Sequence, residues 1–408
     1  MTMTAPVWIL GGYQSDFARS ISKEKLEISD LVKETTTGTL EAAGIGAEQV
    51  EVIHFANAMG EFYVKQGHLG SMVATVLPEL SGIPAARHEA ACASGGVAVM
   101  AAMADLESGR YDVALVVGAE IERNVPGKVG AGYLASASWV GHEGEGQEYM
   151  WPFTFSEIAQ EYDRRFGLDD EHLRAIARQN IANAKANPKA QTRGWDTPPE
   201  CFSDDDAANP RVVGRVRRYD CSQVTDGGAG VVLVSDRWLR DNRDAVHTPV
   251  ARIAGWGHRS ASLHLQHKLD ASADSDFVFP HVRDTISDAF ARAGISDVFE
   301  LDGIETHDCF TVSQYLAIDH FGITAPGRSG EAVLSGDTAR DGRIPVNPSG
   351  GLIGVGHPVG ATGVRMLLDG YLQVTGQAGG YQVADARRFA TLNFGGSTAT
   401  VVCTIIES

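Results

Sequence analysis

Residues 289–307 read "AFARAGISDVFELDGIETH", and residues 39–57 read "TLEAAGIGAEQVEVIHFAN". In each, an Ala-rich helical segment stops at a glycine, Gly294 or Gly44, and leads into a β-branched run that ends at His307 or Asn57. The glycines are 250 positions apart and so are the strand ends, which marks an internal duplication. Around the first copy, "VWILGG", a helix near 29–44, "VEVIHFAN", a helix near 68–78, "AARHEAA", a helix near 93–108 and "DVALVVGAE" alternate strand with helix. This is an α/β pattern with buried strands. The expected organisation is one core half over 1–120, an insertion over 121–250 that returns to the core near 220–236, and a second core half over 251–408. The insertion joins a Gly-rich aromatic tract, "GKVGAGYLASASWVGHEGEGQEYMWPFTF", to the amphipathic "DDEHLRAIARQNIANAKAN" and a Pro/Asp-rich tract. A segment that long suits a lid or a substrate-binding subdomain.

Composition bounds the function. The chain has 408 residues, 43% hydrophobic and 21% charged, as in a globular protein of two or three units. Its formal net charge of -18 repels nucleic acid and anionic membranes, so neither is an expected partner, and an anionic substrate needs a local basic patch. Five cysteines with no CxxC pair argue against a disulfide framework and for a reducing compartment. The start "MTMTAPVWILGGYQ" has no basic region like that of a signal peptide, no stretch approaches the roughly 20 apolar residues of a membrane span, and "IIES" is no peroxisomal address. A soluble cytoplasmic protein is expected.

Three tracts can carry chemistry. In "HEAACASGGVAVMAAM" (88–103), Cys92 sits where an extended run meets an Ala/Gly-rich helix, whose positive end favours thiolate, and small neighbours admit a substrate. The bland alternative is a buried, inert cysteine. In "NPSGGLIGVGHPVGATG" (347–363), the glycines follow GxGxxxG rather than a dinucleotide fingerprint, and Pro358 interrupts them. They let backbone pack around His357, at the entrance of a helix expected to start near Pro358. In "LDGIETHDCFTVSQ" (301–314), His307 and Cys309 flank Asp308 at the end of a strand, where open α/β sheets place ligand crevices. Residues two apart on an extended chain face one side, so His307 and Cys309 can share a pocket. Asp308 reads as a solvated cap for the next helix. Two thiols and two imidazoles can also hold zinc, but the close ligand pairs of structural sites are missing.

Together these tracts resemble the thiolase superfamily along essentially the whole chain. "ACASG" resembles its nucleophile motif, "GGLIGVGHPVGATG" its histidine motif, and "DCSQVTDGGAGVVL" (220–233) the strand after its insertion. The resemblance implies the thiolase fold: two similar α/β halves, mixed sheets with helices on both faces, and an inserted loop domain. Ordinary thiolases carry an asparagine motif where this chain has "HDCF", and a Cys-x-Gly tract where it has "NFGGS", with Asn393 in the cysteine's place. That departure, with "NIANAKANPKAQ" (180–191), resembles the sterol-carrier-protein-type thiolases.

The resemblance implies cleavage or formation of 3-ketoacyl-CoA, with CoA as co-substrate and neither a tightly bound cofactor nor a metal. In it Cys92 is the nucleophile, deprotonated with help from His357, and Cys309 is the acid/base thiol. His357 and a water held by His307 bind the thioester oxygen, and the N–H groups of Cys92 and Gly395 form the second oxyanion hole. Ser222 matches a serine that contacts pantetheine, while Lys185, Lys189 and Arg193 are phosphate candidates or merely solvated charge. Trp139, Tyr149, Trp151, Phe153 and Phe155 either line an acyl tunnel or anchor the loop domain. The resemblance also implies a homodimer or homotetramer acting on acyl-CoA, with no lipid-carrier domain following. A thiolase-like acyltransferase or retro-aldolase that needs a small accessory protein is the alternative. A nucleotide-dependent oxidoreductase rests on the glycines near His357 alone, and the two-histidine signature of a ketoacyl synthase is not evident.

Overall fold

Both copies of the repeat end their helices at the expected glycine. In the computed structural model, which describes residues 6–408, helix Ile28–Ala43 stops at Gly44 and helix Pro280–Ala293 at Gly294, with φ of 65° and 70°. A residue with a Cβ pays about 1–2 kcal/mol for that left-handed turn, and glycine does not.

The strands are β1 Val7–Gln14, β2 Val52–Ala56, β3 Ala85–His88, β4 Val113–Glu120, β5 Arg211–Val213, β6 Val216–Arg217, β7 Gly227–Ser235, β8 Ala251–Ser260, β9 Gly303–Thr306, β10 Arg388–Gly395 and β11 Thr400–Glu407. Except for the β5–β6 ribbon they form one nine-stranded mixed sheet, β3-β2-β4-β7-β1-β8-β11-β10-β9. Its left half, β3-β2-β4-β7-β1, is mirrored by β9-β10-β11-β8, and an isolated parallel bridge from Ile304 to Val346 stands where β3 stands in the first half. The two halves meet edge to edge through Val7–Ile253, Trp8–Arg252 and Ile9–Ala251. The duplication extends to a bulge: β1 slips register between Ile9 and Gly11, and β8 between Ile253 and Gly255. Just past each bulge a helix presses on bare backbone, Ala42 and Ala43 against Gly11, Ala289 and Ala293 against Gly255.

Between the halves lie helices Ser94–Glu107 and Thr362–Val374. A Cβ on Gly95 would sit 2.6 Å from the nitrogen of Val364, and one on Gly363 would strike Gly96, so the two helices touch through backbone. Their N-termini are thereby brought side by side, which places Cys92 next to His357.

Two expected helices differ from the sequence reading. The segment near 68–78 is a 3₁₀ turn Leu69–Ser71 and a short helix Met72–Val76, cut off because Leu77 precedes Pro78. The helix after His357 begins at Thr362 rather than at Pro358, behind a 3₁₀ turn Val359–Ala361. In the insertion, helices Met150–Phe166 and Asp170–Ala184 pack on the second half: Phe155, Ile158, Tyr162 and Ile176 share one apolar core with Phe279, Ile286 and Phe321. No helix among the described residues is long and apolar enough to cross a membrane.

Candidate active site

Cys92 follows Ala91, whose φ of 51° is left-handed and strained for a residue with a Cβ. The elbow is tied down on both sides: Ser94 Oγ donates to Ala91 O (2.6 Å) and accepts from Ala90 N–H (2.9 Å). Helix Ser94–Glu107 has Ala93 as its N-cap, so Cys92 lies one residue ahead of the cap. Burial, and next the nearby Glu122 carboxyl, push the thiol up to about 12. The thiolate expected from the helix end is therefore not the resting form; Cys92 holds its proton until a base takes it. The N–H groups directed at Sγ are its own and that of Gly396. Gly395, the residue the sequence reading chose, stands next to Gly396 and both line a neighbouring groove; Gly396, with φ of 58°, also borders the cavity at Cys92.

The imidazole of His357 lies close to that thiol. Its Nδ1 lies 2.7 Å from Thr362 Oγ1, whose own hydroxyl donates to Pro358 O (3.0 Å). Thr362 can then only accept from the ring, so Nδ1 carries the proton and Nε2 keeps its lone pair. That Nε2 is buried and has no protein partner. Burial, and next the charge of Arg365, lower this imidazole to about 3, so it is neutral at physiological pH. The turn holding His357 hangs from three groups: Thr225 Oγ1 accepts its N–H (2.8 Å), Glu122 accepts from Val359 N–H (2.9 Å) and Glu120 from Gly360 N–H (3.0 Å).

His307 is the complementary tautomer. The Asn393 amide nitrogen donates to Cys92 O (3.0 Å) and to His307 Nδ1 (3.1 Å). With Nδ1 an acceptor, Nε2 carries the proton and is a donor. Burial, and next His357, hold His307 well below the usual histidine range. The two rings meet edge to face at 5.1 Å. One sulfur or ring nitrogen from each of Cys92, His307 and His357 lies within 4.8 Å of the other two. Such a trio could ligate a metal, but His307 Nε2 carries a proton and offers no lone pair there, which leaves two donors.

Cys309 joins the same cavity with its thiol pushed well above the usual range, by burial first and then by Cys92. Its carbonyl accepts from Ser222 N–H (2.8 Å), and the antiparallel bridge Cys221–Phe310 sets Ser222 opposite Cys309. Asp308 corrects the sequence reading. It is fully buried and no solvated cap, since its carboxylate accepts from Leu352 N–H (2.5 Å), Ile353 N–H (3.3 Å) and Asn180 (2.7 Å). It caps the short helix Gly351–Val355 that precedes His357, a partner 44 residues away in sequence.

The cavity, about 290 Å³, is walled by Trp151, Phe155, Phe310, Met150 and Val224, with Ser222 and Tyr149 also on its lining. Trp151 fixes its ring by donating Nε1–H to Leu134 O (2.8 Å), and Phe155 stacks on Phe310 at 4.4 Å. Trp139 stacks on His142 and Phe153 lines a separate hollow, so these two rings are not part of it. Nor are the phosphate candidates: Lys185 is exposed at the far end of helix Asp170–Ala184, Arg193 is clamped by both oxygens of Asp16 (2.7 and 2.8 Å), and Lys189 lies over Tyr13. Asn393, Thr362, Glu122 and Gly396 were missed as functional residues. Asn393 and Gly396 lie within the "NFGGS" tract and Thr362 lies close to His357, whereas Glu122 carried no local signal.

Comparison with known proteins gives two family models, described as "Thiolase, N-terminal domain" over residues 7–237 and "Thiolase C-terminal domain-like" over 264–408. The chain is 32% identical over 379 residues to an acetyl-CoA acetyltransferase of Methanothermobacter thermautotrophicus, covering 93% of this chain and 94% of the relative. It is 25% identical over 412 residues to sterol carrier protein 2 of Gallus gallus, covering 98% of this chain and 71% of that one. Among solved structures, the "Ltp2-ChsH2(DUF35) aldolase" superposes with a TM-score of 0.79 at 19% identity over 100% of this chain and 99% of that one, a likeness of fold.

Proposed function

The chain belongs to the thiolase family of acyltransferases, and from that premise we propose that it cleaves or forms 3-ketoacyl-CoA through an acyl-enzyme on Cys92. The observation that carries this reading is the pairing of two protonated thiols, Cys92 and Cys309, in one apolar cavity with a neutral His357 whose free Nε2 is unpartnered. His357 Nε2 takes the Cys92 proton as sulfur attacks the 3-keto carbon, and the oxygen's charge falls to the N–H groups of Cys92 and Gly396. The C2–C3 bond breaks; the departing enolate, its thioester oxygen held by the N–H groups of His307, directly or through a water, and of the new imidazolium, takes its proton at C2 from Cys309. The Cys309 thiolate then deprotonates the incoming CoA thiol. CoA sulfur attacks the acyl-cysteine, and Cys92 leaves with the proton returned by His357. CoA is consumed as co-substrate, with no tightly bound cofactor.

The same proposal includes the division into core halves 1–120 and 251–408 with the loop domain 121–250 between, a homodimer or homotetramer, and a cytoplasmic setting, for which five free thiols speak. A second reading, a thiolase-like acyltransferase or retro-aldolase that needs a small partner, draws on the likeness of fold to the Ltp2-ChsH2(DUF35) aldolase. Its retro-aldolase form gives Cys92 no work to do. Thiolysis of acetoacetyl-CoA and longer 3-ketoacyl-CoAs by the purified chain, followed through the enolate absorbance, tests the first reading. Turnover is expected without any partner, and its absence with every substrate tried, alongside activity restored by a co-purified protein, would favour the second.

A further inference from the structure

Phe155 is part of the lining of the cavity that holds the two thiols, and it also borders a second, smaller space. Phe155 is 3% exposed and lines two spaces at once: the catalytic cavity, and a closed void of about 10 Å³ bounded by Phe279, Val282, Leu316, Ala317 and Phe394. The void has room for about one water-sized sphere, but its polar neighbours are already engaged. His320 Nδ1 pairs with Asp319 (2.6 Å) and its Nε2 accepts from Phe279 N–H (3.3 Å); Thr398 Oγ1 pairs with His281 (3.1 Å) and Ser313 Oγ faces Cys309 Sγ (3.8 Å). What remains on its walls is hydrocarbon, the surrounding that an acyl tail seeks and water does not.

The ring itself is held by apolar packing alone. It lies on Phe310 at 4.4 Å with 22° between the planes and near Trp151 at 6.4 Å. Its backbone sits in helix Met150–Phe166, so shortening the side chain leaves the fold's hydrogen bonds intact.

We propose that Phe155 is the end wall of the acyl cavity and sets the longest acyl chain that this protein accepts, with an apolar extension closed off behind its ring. The inference rests on the reading that CoA thioesters place their acyl groups beside Cys92. It makes the natural substrates acyl chains that end at Phe310 and Phe155, and it makes one side chain the determinant of chain length.

Calorimetric titration of the thioethers S-butyl-, S-hexyl-, S-octyl- and S-decyl-CoA, which lack the carbonyl that Cys92 attacks, tests it without requiring turnover. In the wild-type protein affinity should rise about fourfold per added methylene and then level off where the tail meets Phe155. Phe155→Leu should move that levelling point by about one methylene and Phe155→Ala by about two or more, while a second change, Ala317→Leu in the Phe155→Ala background, should refill the space and return it. Phe155→Leu keeps enough bulk to decide the matter if Phe155→Ala does not fold. A levelling point that stays in place in Phe155→Leu, or in a cooperatively folded Phe155→Ala, overturns the inference and leaves the thioester reading standing. Failure of wild-type protein to bind any of the four thioethers would overturn both.

Discussion

The two halves of the duplicated core put different residues in the same place, and the difference separates bracing from chemistry. At the end of β2 stands Asn57, whose amide donates to Glu120 (2.8 Å) and Ala119 O (2.9 Å) and accepts from Gly60 N–H (3.0 Å), so every polar atom is spent on the fold. At the end of β9, 250 residues later, stands His307, which spends Nδ1 on Asn393 and sets its ring edge to face with that of His357. The adjacent strands repeat the contrast. At the end of β4 Glu120 accepts from Ala58, Met59 and Gly360 N–H, whereas at the end of β10 Asn393 fixes the His307 tautomer and Gly396 follows with its N–H on Cys92. One copy of the repeat became a buttress, and the other kept polar atoms unspent.

That contrast is open to direct attack. The largest effect should come from His357→Ala, which removes the base for a thiol that holds its proton: kcat in thiolysis should fall by about 10² to 10⁴ with the fold intact. Thr362→Val, which takes away the acceptor that fixes the Nδ1 proton, should cost about tenfold of kcat with KM little changed, read in the same assay. The matched pair comes next. His307→Ala should lose about 10²-fold or more in kcat with little change in denaturant midpoint. Asn57→Ala should do the opposite, losing about 1–3 kcal/mol of stability for each buried group it orphans and keeping turnover per folded molecule within about threefold. Equal losses of activity in both would erase the distinction between the halves.

The smallest effect is a pH slope. Because burial and Glu122 raise the Cys92 thiol to about 12, its thiolate fraction should still be climbing at pH 9, and its alkylation by iodoacetamide should rise about tenfold per pH unit from 7 to 9. Peptide mapping of the adduct reads this, and a rate that levels off near neutrality would mean that the helix end wins after all.

What was legible in the sequence follows the range of the interactions that fix it. The repeat was legible because cap glycines and strand ends are local signals, and the tracts around Cys92, His307–Cys309 and His357 because small residues and glycines gather beside reactive groups. The state of those groups was not. Cys92 is raised by burial and by Glu122 from the loop after β4, Asp308 is buried by helix Gly351–Val355 and Asn180, and Arg193 is taken by Asp16 177 residues away. None of these partners lies near its target in sequence, so neither the direction of a pKa nor the fate of a surface charge shows in a local pattern. The N–H of Gly396 on the Cys92 sulfur was not legible either, because a motif fixes order and only backbone geometry fixes which N–H turns inward.

The central claim is that Cys92 carries the acyl group while Cys309 moves protons. Intact-mass spectra and peptide mapping after incubation with acetyl-CoA test it most directly, on the wild-type protein, Cys92→Ala and Cys309→Ala. One acetyl group should appear on Cys92 in the wild type and still form in Cys309→Ala, where turnover is lost, and none should form in Cys92→Ala. An acetyl group on Cys309, or any stable adduct in Cys92→Ala, would contradict the account.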